Sequence, residues 1–212
     1  DNLISSRIVE KIKQLIEKGY DFHDEIQVII PVYKDYNGID RINALIQSTF
    51  NQENKEYAVK FKDKEFWYND KVMQLVNQPE DNVMNGDQGT VIGITPNDEL
   101  IVDFSDNIVK YSKKDLDNLT LAYAVSIHKS QGSEFRSVIM PLTKSYTIML
   151  KRKLLYTGVT RAKEKLILIG DFDAYRRGVL GIDRERNTLL NFFLENRNQE
   201  LNSGQTKISD FL

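Results

Sequence analysis

Two polar segments that each lead into a buried strand carry the residues best suited to chemistry. The first, residues 122–135, begins apolar and turns polar at Ser126 and His128. It then reaches a turn at Gly132, which the acid Glu134 follows. A buried segment that opens into polar side chains and a glycine is typical of a ligand-contacting loop in an α/β domain. This loop is therefore the first candidate binding element of the chain.

The second segment, residues 154–165, carries Arg161. This arginine follows an apolar helical pattern and comes shortly before a buried strand at 166–170, so we expect its guanidinium at an edge of the sheet. A guanidinium in that position can pair bidentately with phosphate oxygens. The alternative that stays open is an ion pair with a nearby acid such as Glu164.

The other candidate side chains also have two interpretations each. Glu134 is suited to accept hydrogen bonds from ribose hydroxyls, or it is an ordinary surface glutamate. His128 is suited to contact a phosphate or a base, or it is an ordinary loop histidine. Neither residue type decides the matter alone, so these assignments depend on the pattern of the whole chain.

The composition restricts the class of protein. With 212 residues, of which 41% are hydrophobic, the chain can bury a proper core. It has no cysteine, which excludes disulfides and thiolate metal sites and favours a reducing, cytoplasmic setting. Its two histidines, His23 and His128, are far apart in sequence, which disfavours a catalytic zinc site. We find no signal peptide and no apolar run long enough to cross a membrane.

The charge is distributed unevenly. The net charge is −2, but residues 144–165 contain seven basic residues and one acid, a net of +6, which leaves −8 for the remainder. A basic patch on an acidic body is compatible with a polyanion such as a nucleotide or DNA. A solvated helix face is the alternative explanation.

The apolar periodicity predicts an α/β domain. An amphipathic helix at 3–18, a buried strand at 26–32 and a second amphipathic helix at 39–50 form the repeating unit of such a sheet. Later in the chain the same patterns predict strands at 71–76, 137–142 and 166–170 and a helix at 146–162.

A different pattern interrupts this domain. Short strand-like runs at 90–94, 100–104 and 107–111, separated by turn residues, predict a small antiparallel barrel inserted at 86–118. The single tryptophan, Trp67, is better explained as a core anchor than as a base-stacking residue.

Two motifs are missing from the sequence. The chain contains no G-x-x-x-x-G-K-[ST] phosphate loop, and no apolar strand ends in paired acids that would hold magnesium. We therefore expect that the chain cannot assemble a complete nucleoside triphosphatase site by itself.

Five stretches in chain order resemble the second motor domain, domain 2A with its inserted 2B barrel, of a superfamily 1B DNA helicase. They read IQVIIPVYKDYNGIDRIN, NDKVMQLVN, VMNGDQG, LAYAVSIHKSQGSEF and LLYTGVTRAKEKLIL, within residues 26–170. The last two resemble helicase motifs V and VI. The resemblance is strongest to RecD-like ATP-dependent helicases, the exodeoxyribonuclease V alpha-subunit family.

The resemblance implies an α/β fold of the RecA-like type, a parallel sheet with helices on both faces, plus a small inserted β-barrel like that of Src-homology-3 domains. It implies that residues 1–85 and 119–195 form a discontinuous domain 2A. Residues 86–118 would then form the 2B barrel, and 196–212 a flexible tail.

The resemblance also implies a role for each candidate residue. Arg161 matches the motif VI arginine finger, which stabilises charge on the phosphoryl group that ATP transfers. Gly132 and Glu134 match motif V positions near the γ-phosphate and the ribose. Ser126 and His128 match the end of motif V that faces single-stranded DNA.

Val32 and Tyr33 match a strand-end loop that also lies along the DNA. Asp35 departs from the family pattern, since relatives tend to carry a small or basic residue there. The DNA contact of this loop is therefore the least supported of the implied contacts.

The implied function is that of the C-terminal half of an ATP-dependent 5′–3′ DNA helicase, in DNA repair or recombination. ATP and Mg²⁺ would be bound mainly by an upstream RecA-like domain of the same polypeptide, and the chain alone is expected to be inactive. The alternative is a non-catalytic nucleic-acid-binding or adaptor protein derived from a helicase half.

A separate pattern occurs in the tail. Gln205, Ile208 and Phe211 have the Q-x-x-I-x-x-F spacing of sliding-clamp ligands, whose apolar side chains fill a pocket on the clamp. Chance spacing in a disordered tail is the alternative.

Overall fold

The structure of the chain, a computed structural model, describes residues 2–31, 38–105, 107–143, 146 and 150–181. Within these ranges there are four α-helices: α1 (Asn2–Ile16), α2 (Ile39–Phe50), α3 (Arg152–Val159) and α4 (Phe172–Leu180). None of these helices is long and apolar enough to cross a membrane.

The same ranges contain eleven β-strands that form three sheets. In chain order they are β1 (Ile26–Ile30), β2 (Ala58–Phe61), β3 (Lys64–Trp67), β4 (Lys71–Gln74), β5 (Gln88–Ile94), β6 (Leu100–Asp103), β7 (Ile108–Tyr111), β8 (Leu119–Leu121), β9 (Ala124–Ser126), β10 (Phe135–Leu142) and β11 (Ala162–Gly170).

A four-stranded parallel sheet has the order β11-β10-β1-β9. Every residue of β1 is buried, as expected for a central parallel strand that is covered on both faces. On one face, Ile8 of α1 and Ile42 of α2 pack into a cluster with Val28. On the other face, Leu155 of α3 packs with Met140. The predicted parallel sheet with helices on both faces is confirmed.

The antiparallel part of the chain lies between α2 and β9. A five-stranded sheet has the order β7-β6-β5-β4-β8, and β2 and β3 form a separate hairpin. The side chains of Val72, Val91, Leu100 and Tyr111 are buried in one core cluster. This arrangement agrees with the predicted small barrel.

The five-stranded sheet extends beyond the predicted insert at 86–118 on both sides. β4 pairs with β5 and β8, so both β4 and β8 belong to the antiparallel sheet. The apolar run at 71–76 predicts a buried strand but does not indicate which of the two sheets the strand belongs to. Only the observed pairing assigns it to the antiparallel sheet. The division of the chain into a discontinuous domain 2A and a 2B barrel stays a prediction.

Most predicted elements match the structure to within two residues at each end, and two differ by more. The helix predicted at 146–162 is observed only as α3, with residues 144–145 and 147–149 outside the described ranges. The strand predicted at 166–170 begins earlier, at Ala162, because its charged first residues pair with the start of β10. Trp67 is a core residue, as predicted, with 4% of its surface exposed. The predicted tail at 196–212 lies outside the described residues.

A buried carboxylate connects the two parts of the fold. Asp70, which is fully buried, directly precedes β4. Its Oδ2 accepts hydrogen bonds from Gln47 Nε2 and the Trp67 amide, both at 2.6 Å. Its Oδ1 accepts from Asn51 Nδ2 at 2.8 Å and from the Tyr123 hydroxyl at 2.9 Å. The barrel is thereby joined to α2 and to the segment that leads into β9.

Two buried amides hold the same segment from the side of the parallel sheet. Gln27 Nε2 donates to the carbonyl oxygens of Ala122 and Tyr123 at 3.0 and 3.1 Å. Asn43 Nδ2 donates to the Ala124 carbonyl at 3.0 Å, and Asn43 Oδ1 accepts from the Ala124 amide at 2.7 Å. The first residues of the candidate loop, 122–124, are therefore fixed by side-chain hydrogen bonds before its polar part begins.

Burial raises the pKa of the Asp70 carboxyl from 3.8 to about 6, although its four hydrogen bonds act in the opposite direction. Between these two values the folded chain binds a proton that the unfolded chain does not. The cost of burying the charge is therefore fully present above pH 6, and it is relieved as the pH falls toward about 4.

We predict that Asp70→Asn lowers the free energy of unfolding by about 3 kcal/mol at pH 7. The substitution replaces one carboxylate oxygen by an NH₂ group, which leaves two buried donors without an acceptor. Chemical denaturation measures the loss, and the exposed Asp63→Asn is the matched control. A loss no larger than that of the control would contradict the central role of Asp70.

Candidate functional site

The candidate loop runs from one end of the parallel sheet to the other. β9 ends at Ser126, which pairs with Ile30 at the carboxyl end of β1. β10 begins at Phe135, which pairs with Ala162 at the start of β11. Gly132, Glu134 and Arg161 are therefore grouped at the amino ends of β10 and β11, although ligands in α/β sheets usually bind at the carboxyl ends of strands.

A series of main-chain hydrogen bonds makes the loop compact. The Ser130 amide donates to the Ser126 carbonyl at 3.1 Å, and the Ser133 amide donates to the Ser130 carbonyl at 3.2 Å. Gly132 has φ +88°, in the left-handed region that favours glycine, and a Cβ there would meet no atom within 4 Å. The tip of the turn is therefore open to a ligand.

Arg161 is bonded to this turn through its side chain and its main chain. Its Nη1 donates to the Ser133 carbonyl at 2.9 Å, and its Nε donates to the Thr157 carbonyl at 3.1 Å. Its own carbonyl accepts from the Phe135 amide at 2.8 Å. The structure thus brings the motif V and motif VI residues together.

The guanidinium of Arg161 keeps part of its hydrogen-bonding capacity. A third bond runs from Nη2 to Thr160 Oγ1 at 3.2 Å, so three of its five N–H groups are bonded to described residues. Among those residues no carboxylate forms an ion pair with Arg161, since Glu164 bonds to Arg136 Nε at 2.8 Å. The ion pair with Glu164 that the sequence left open is therefore not formed.

Glu134 lies next to this group but has a partner of its own. Its carboxylate is 3.6 Å from Lys163 Nζ, and both side chains are more than half exposed. An exposed ion pair of this kind contributes little to stability, so both groups are available to a ligand. The contact of Glu134 with a ribose stays a prediction.

A groove of about 490 Å³ lies between the loop and a turn of the barrel. His128, Lys129 and Gly132 line the loop side, and Asn85 and Gly86 line the barrel side. Lys129 Nζ donates a hydrogen bond to Asn85 Oδ1 across the groove, over a sequence separation of 44 residues. Sequence reasoning missed Lys129 and Asn85, although the glycine-rich turn after Asn85 marked this part of the barrel.

The predicted nucleic-acid contacts have different environments. His128 is exposed, whereas Ser126 is 6% exposed and its Oγ accepts the Lys129 amide at 3.2 Å. Ser126 therefore shapes the turn, and its contact with DNA stays a prediction. Val32 and Tyr33 lie outside the described residues.

No metal-binding group was found in the parts of the chain that the structure describes. There, no three or more His, Asp or Glu side chains come together as ligands for an ion. The site is instead built from a guanidinium, main-chain groups and an open glycine turn, which suit an anion such as a phosphate.

Two family models match the chain. Residues 121–169 match the UvrD-like helicase C-terminal domain, and residues 42–104 match the SH3 domain of ATP-dependent RecD-like DNA helicases. The first match covers the candidate loop and Arg161, and the second covers most of the antiparallel part.

Several curated proteins are similar in sequence. The ATP-dependent RecD2 DNA helicase of Deinococcus radiodurans is 33% identical over 165 residues, which cover 78% of this chain and 23% of the relative. The RecD subunit of the RecBCD enzyme of Buchnera aphidicola is 30% identical over 166 residues, 76% of this chain and 26% of the relative. The chain spans about a quarter of the length of these relatives. The resemblance to RecD-like helicases is confirmed.

Solved structures show the same fold. The Pif1 helicase from Bacteroides in complex with ADP-AlF3 and ssDNA aligns with a TM-score of 0.56 at 19% identity, over 86% of this chain and 47% of that one. A structure that describes DNA unwinding at forked dsDNA by two coordinating Pif1 helicases aligns with a TM-score of 0.50 at 18% identity. The alignment covers 92% of this chain and 48% of that one. At these identities the likeness concerns the fold alone.

We predict that Gly132→Ala and Gly19→Ala each lower the free energy of unfolding by about 1 kcal/mol, because both glycines have a positive φ and open space around the missing Cβ. Gly19 has φ +86° and lies outside the site, so it is a matched control. Only Gly132→Ala should also shift the NMR signals of Ser133 and Phe135. Unchanged signals there would mean that Gly132 does not set the conformation of the turn.

Proposed function

We propose that this chain, whose sequence matches both a UvrD-like helicase C-terminal domain and a RecD-type SH3 domain, forms the second motor domain of a superfamily 1B ATP-dependent 5′–3′ DNA helicase. The phosphate loop and the acid that holds Mg²⁺ would come from a RecA-like domain of the same polypeptide. That domain would bind the nucleotide, and this chain would close over its phosphates.

One observation carries the proposal: Arg161 is held against the motif V turn and has two N–H groups without a partner among the described residues. A guanidinium fixed by its other hydrogen bonds needs little reorganisation before it stabilises negative charge. The open turn at Gly132 leaves room for a phosphate beside it. Bound Mg²⁺ would supply further neutralisation of the phosphate oxygens.

The groove beside the same turn is suited to single-stranded DNA. Lys129 and His128 offer a charge and hydrogen-bond donors at its surface. The Gln131 amide, next to Gly132, donates to the His128 carbonyl at 3.3 Å, so these residues belong to one compact loop. A domain movement that brings Arg161 onto a nucleotide would therefore also move the DNA-facing side chains. This connection is how ATP turnover would drive translocation.

Three finer assignments are part of the proposal. Glu134 would contact the ribose, and Val32, Tyr33 and Ser126 would extend the DNA path. The helicase would act in the cytoplasm, in DNA repair or recombination. A sliding clamp at the tail stays a prediction. A non-catalytic adaptor is less well supported, because it would have no use for a guanidinium held ready beside an open turn.

We predict that Arg161→Ala lowers ATP turnover by about 10³- to 10⁵-fold, the range for arginine fingers, when the chain is joined to its phosphate-loop domain. The affinity for single-stranded DNA should stay within about twofold of wild type, because the Arg161 side chain bonds to Ser133, Thr157 and Thr160 and makes no described hydrogen bond to His128 or Lys129.

The exposed Arg176→Ala on α4 is the matched control, since it removes the same side chain away from the site. Steady-state hydrolysis and fluorescence anisotropy measure the two quantities. Turnover by the Arg161 variant within a few-fold of wild type would overturn the finger assignment.

We also predict that this chain binds an oligodeoxythymidylate weakly and in a salt-dependent way. Two to four phosphate contacts would give a slope of about −1.4 to −2.8 in log K against log salt concentration. Lys129→Gln should reduce the slope by about 0.7, the value for one contact. Lys62→Gln, on the exposed surface of the barrel, should leave it unchanged. A flat salt response would argue against phosphate contacts in the groove.

A further inference from the structure

Lys71 is a buried charge that the proposed function does not use. It is the first residue of β4, and 4% of its surface is exposed. Its Nζ has one described hydrogen bond, to the Ile26 carbonyl at 3.4 Å. The same Nζ lies 5.5 Å from the centroid of the Phe135 ring, within the range of a cation–π interaction.

These contacts place Lys71 at both ends of the candidate loop. Its main-chain carbonyl accepts from the Ala122 amide at 2.8 Å, where the loop segment starts. Its ammonium contacts Phe135, where the segment ends. The Phe135 amide in turn donates to the Arg161 carbonyl at 2.8 Å. A continuous path of contacts therefore leads from the barrel strand β4 to Arg161.

We propose that Lys71 is a positioning residue that couples the barrel to Arg161, because its buried ammonium holds Phe135 in place. The inference rests on the proposed function, since it assumes that Arg161 acts on a nucleotide. When DNA in the groove shifts the barrel, the ammonium of Lys71 moves with β4 and carries the start of β10 with it. The position of Arg161 then depends on whether DNA is bound.

The charge on Lys71 is costly, and neighbouring groups only partly offset the cost. Burial lowers the pKa of Lys71 from 10.5 to about 8, while Asp24 and Asp21 raise it. His23, Asp24 and Asp103 face Lys71 across a cavity of about 240 Å³. Because the folded pKa is below the unfolded one, the cost is fully present below pH 8 and is relieved between pH 8 and about 10.5. A neutral side chain would make the fold more stable, so stability does not explain the lysine.

The test compares Lys71→Met and Lys71→Arg with wild type by amide hydrogen exchange at Phe135. In wild type, the protection factor of this amide should fall about tenfold between pH 7 and pH 9, as the ammonium loses its proton and its cation–π contact. In Lys71→Met the protection factor of the Phe135 amide should be low at both pH values. In Lys71→Arg it should be high at both, because arginine stays charged. The Leu155 amide, bonded to the Lys151 carbonyl, is the internal reference.

Two controls separate positioning from a general structural role. The melting temperature of Lys71→Met at pH 7 should be at or above that of wild type. Lys64→Met, which removes another barrel ammonium bonded to a main-chain carbonyl, should leave Phe135 protection unchanged. The proposal would be overturned if the Phe135 amide were as protected in Lys71→Met as in wild type. It would also be overturned if the protection of the Leu155 amide fell as much as that of Phe135.

A titration with oligodeoxythymidylate then tests the coupling itself. DNA should shift the Phe135 amide signal in wild type, whereas Lys71→Met should bind with similar affinity and show a much smaller shift. The same shift in the variant would overturn the coupling. If no form of the chain binds DNA, the proposed function fails, and the exchange comparison in the free chain still decides on Lys71.

Discussion

The hydrogen-bonded carboxylate of Asp70 fixes how the parallel sheet and the barrel are joined. Four donors from three parts of the chain converge on its two oxygens, inside the protein and away from water. Apolar surfaces can slide against each other at little cost, whereas buried hydrogen bonds are satisfied in one arrangement only. Because Tyr123 is one of the donors, the start of the candidate loop shares this arrangement.

The position of the site follows from the path of that loop. β9 and β10 are both parallel to β1, so the chain must return across the sheet between them. It makes this return in a compact, hydrogen-bonded turn, which brings Gly132 to the amino ends of β10 and β11. Arg161 reaches the same edge because it directly precedes β11. The two motifs therefore meet without any long connection.

The sequence predicted the parts that depend on local pattern. Apolar runs predicted β1 and β10, the turn residues predicted the antiparallel strands, and motif resemblance predicted that Gly132 and Arg161 share a site. It could not assign β4 to its sheet, because a short apolar strand has no signal for its partners. Nor could it find Asp70, since an aspartate beside a strand usually indicates a turn, and the donors that make it a core residue are distant in sequence.

An inserted domain usually moves on a flexible connection with few contacts, but this barrel is attached to the candidate loop at three points. Asp70 bonds to Tyr123 at the start of the loop, and Lys71 contacts Phe135 at the end of the loop. Asn85 bonds to Lys129 in the middle of the loop. Three attachments along one short loop leave little freedom for the barrel to move independently of it. A ligand that displaces the barrel must therefore either deform the loop or carry it along. Because the loop is compact and bonded to Arg161, moving the loop together with the barrel requires less deformation than changing the shape of the loop. The groove and the guanidinium of Arg161 would then move together when the ligand binds.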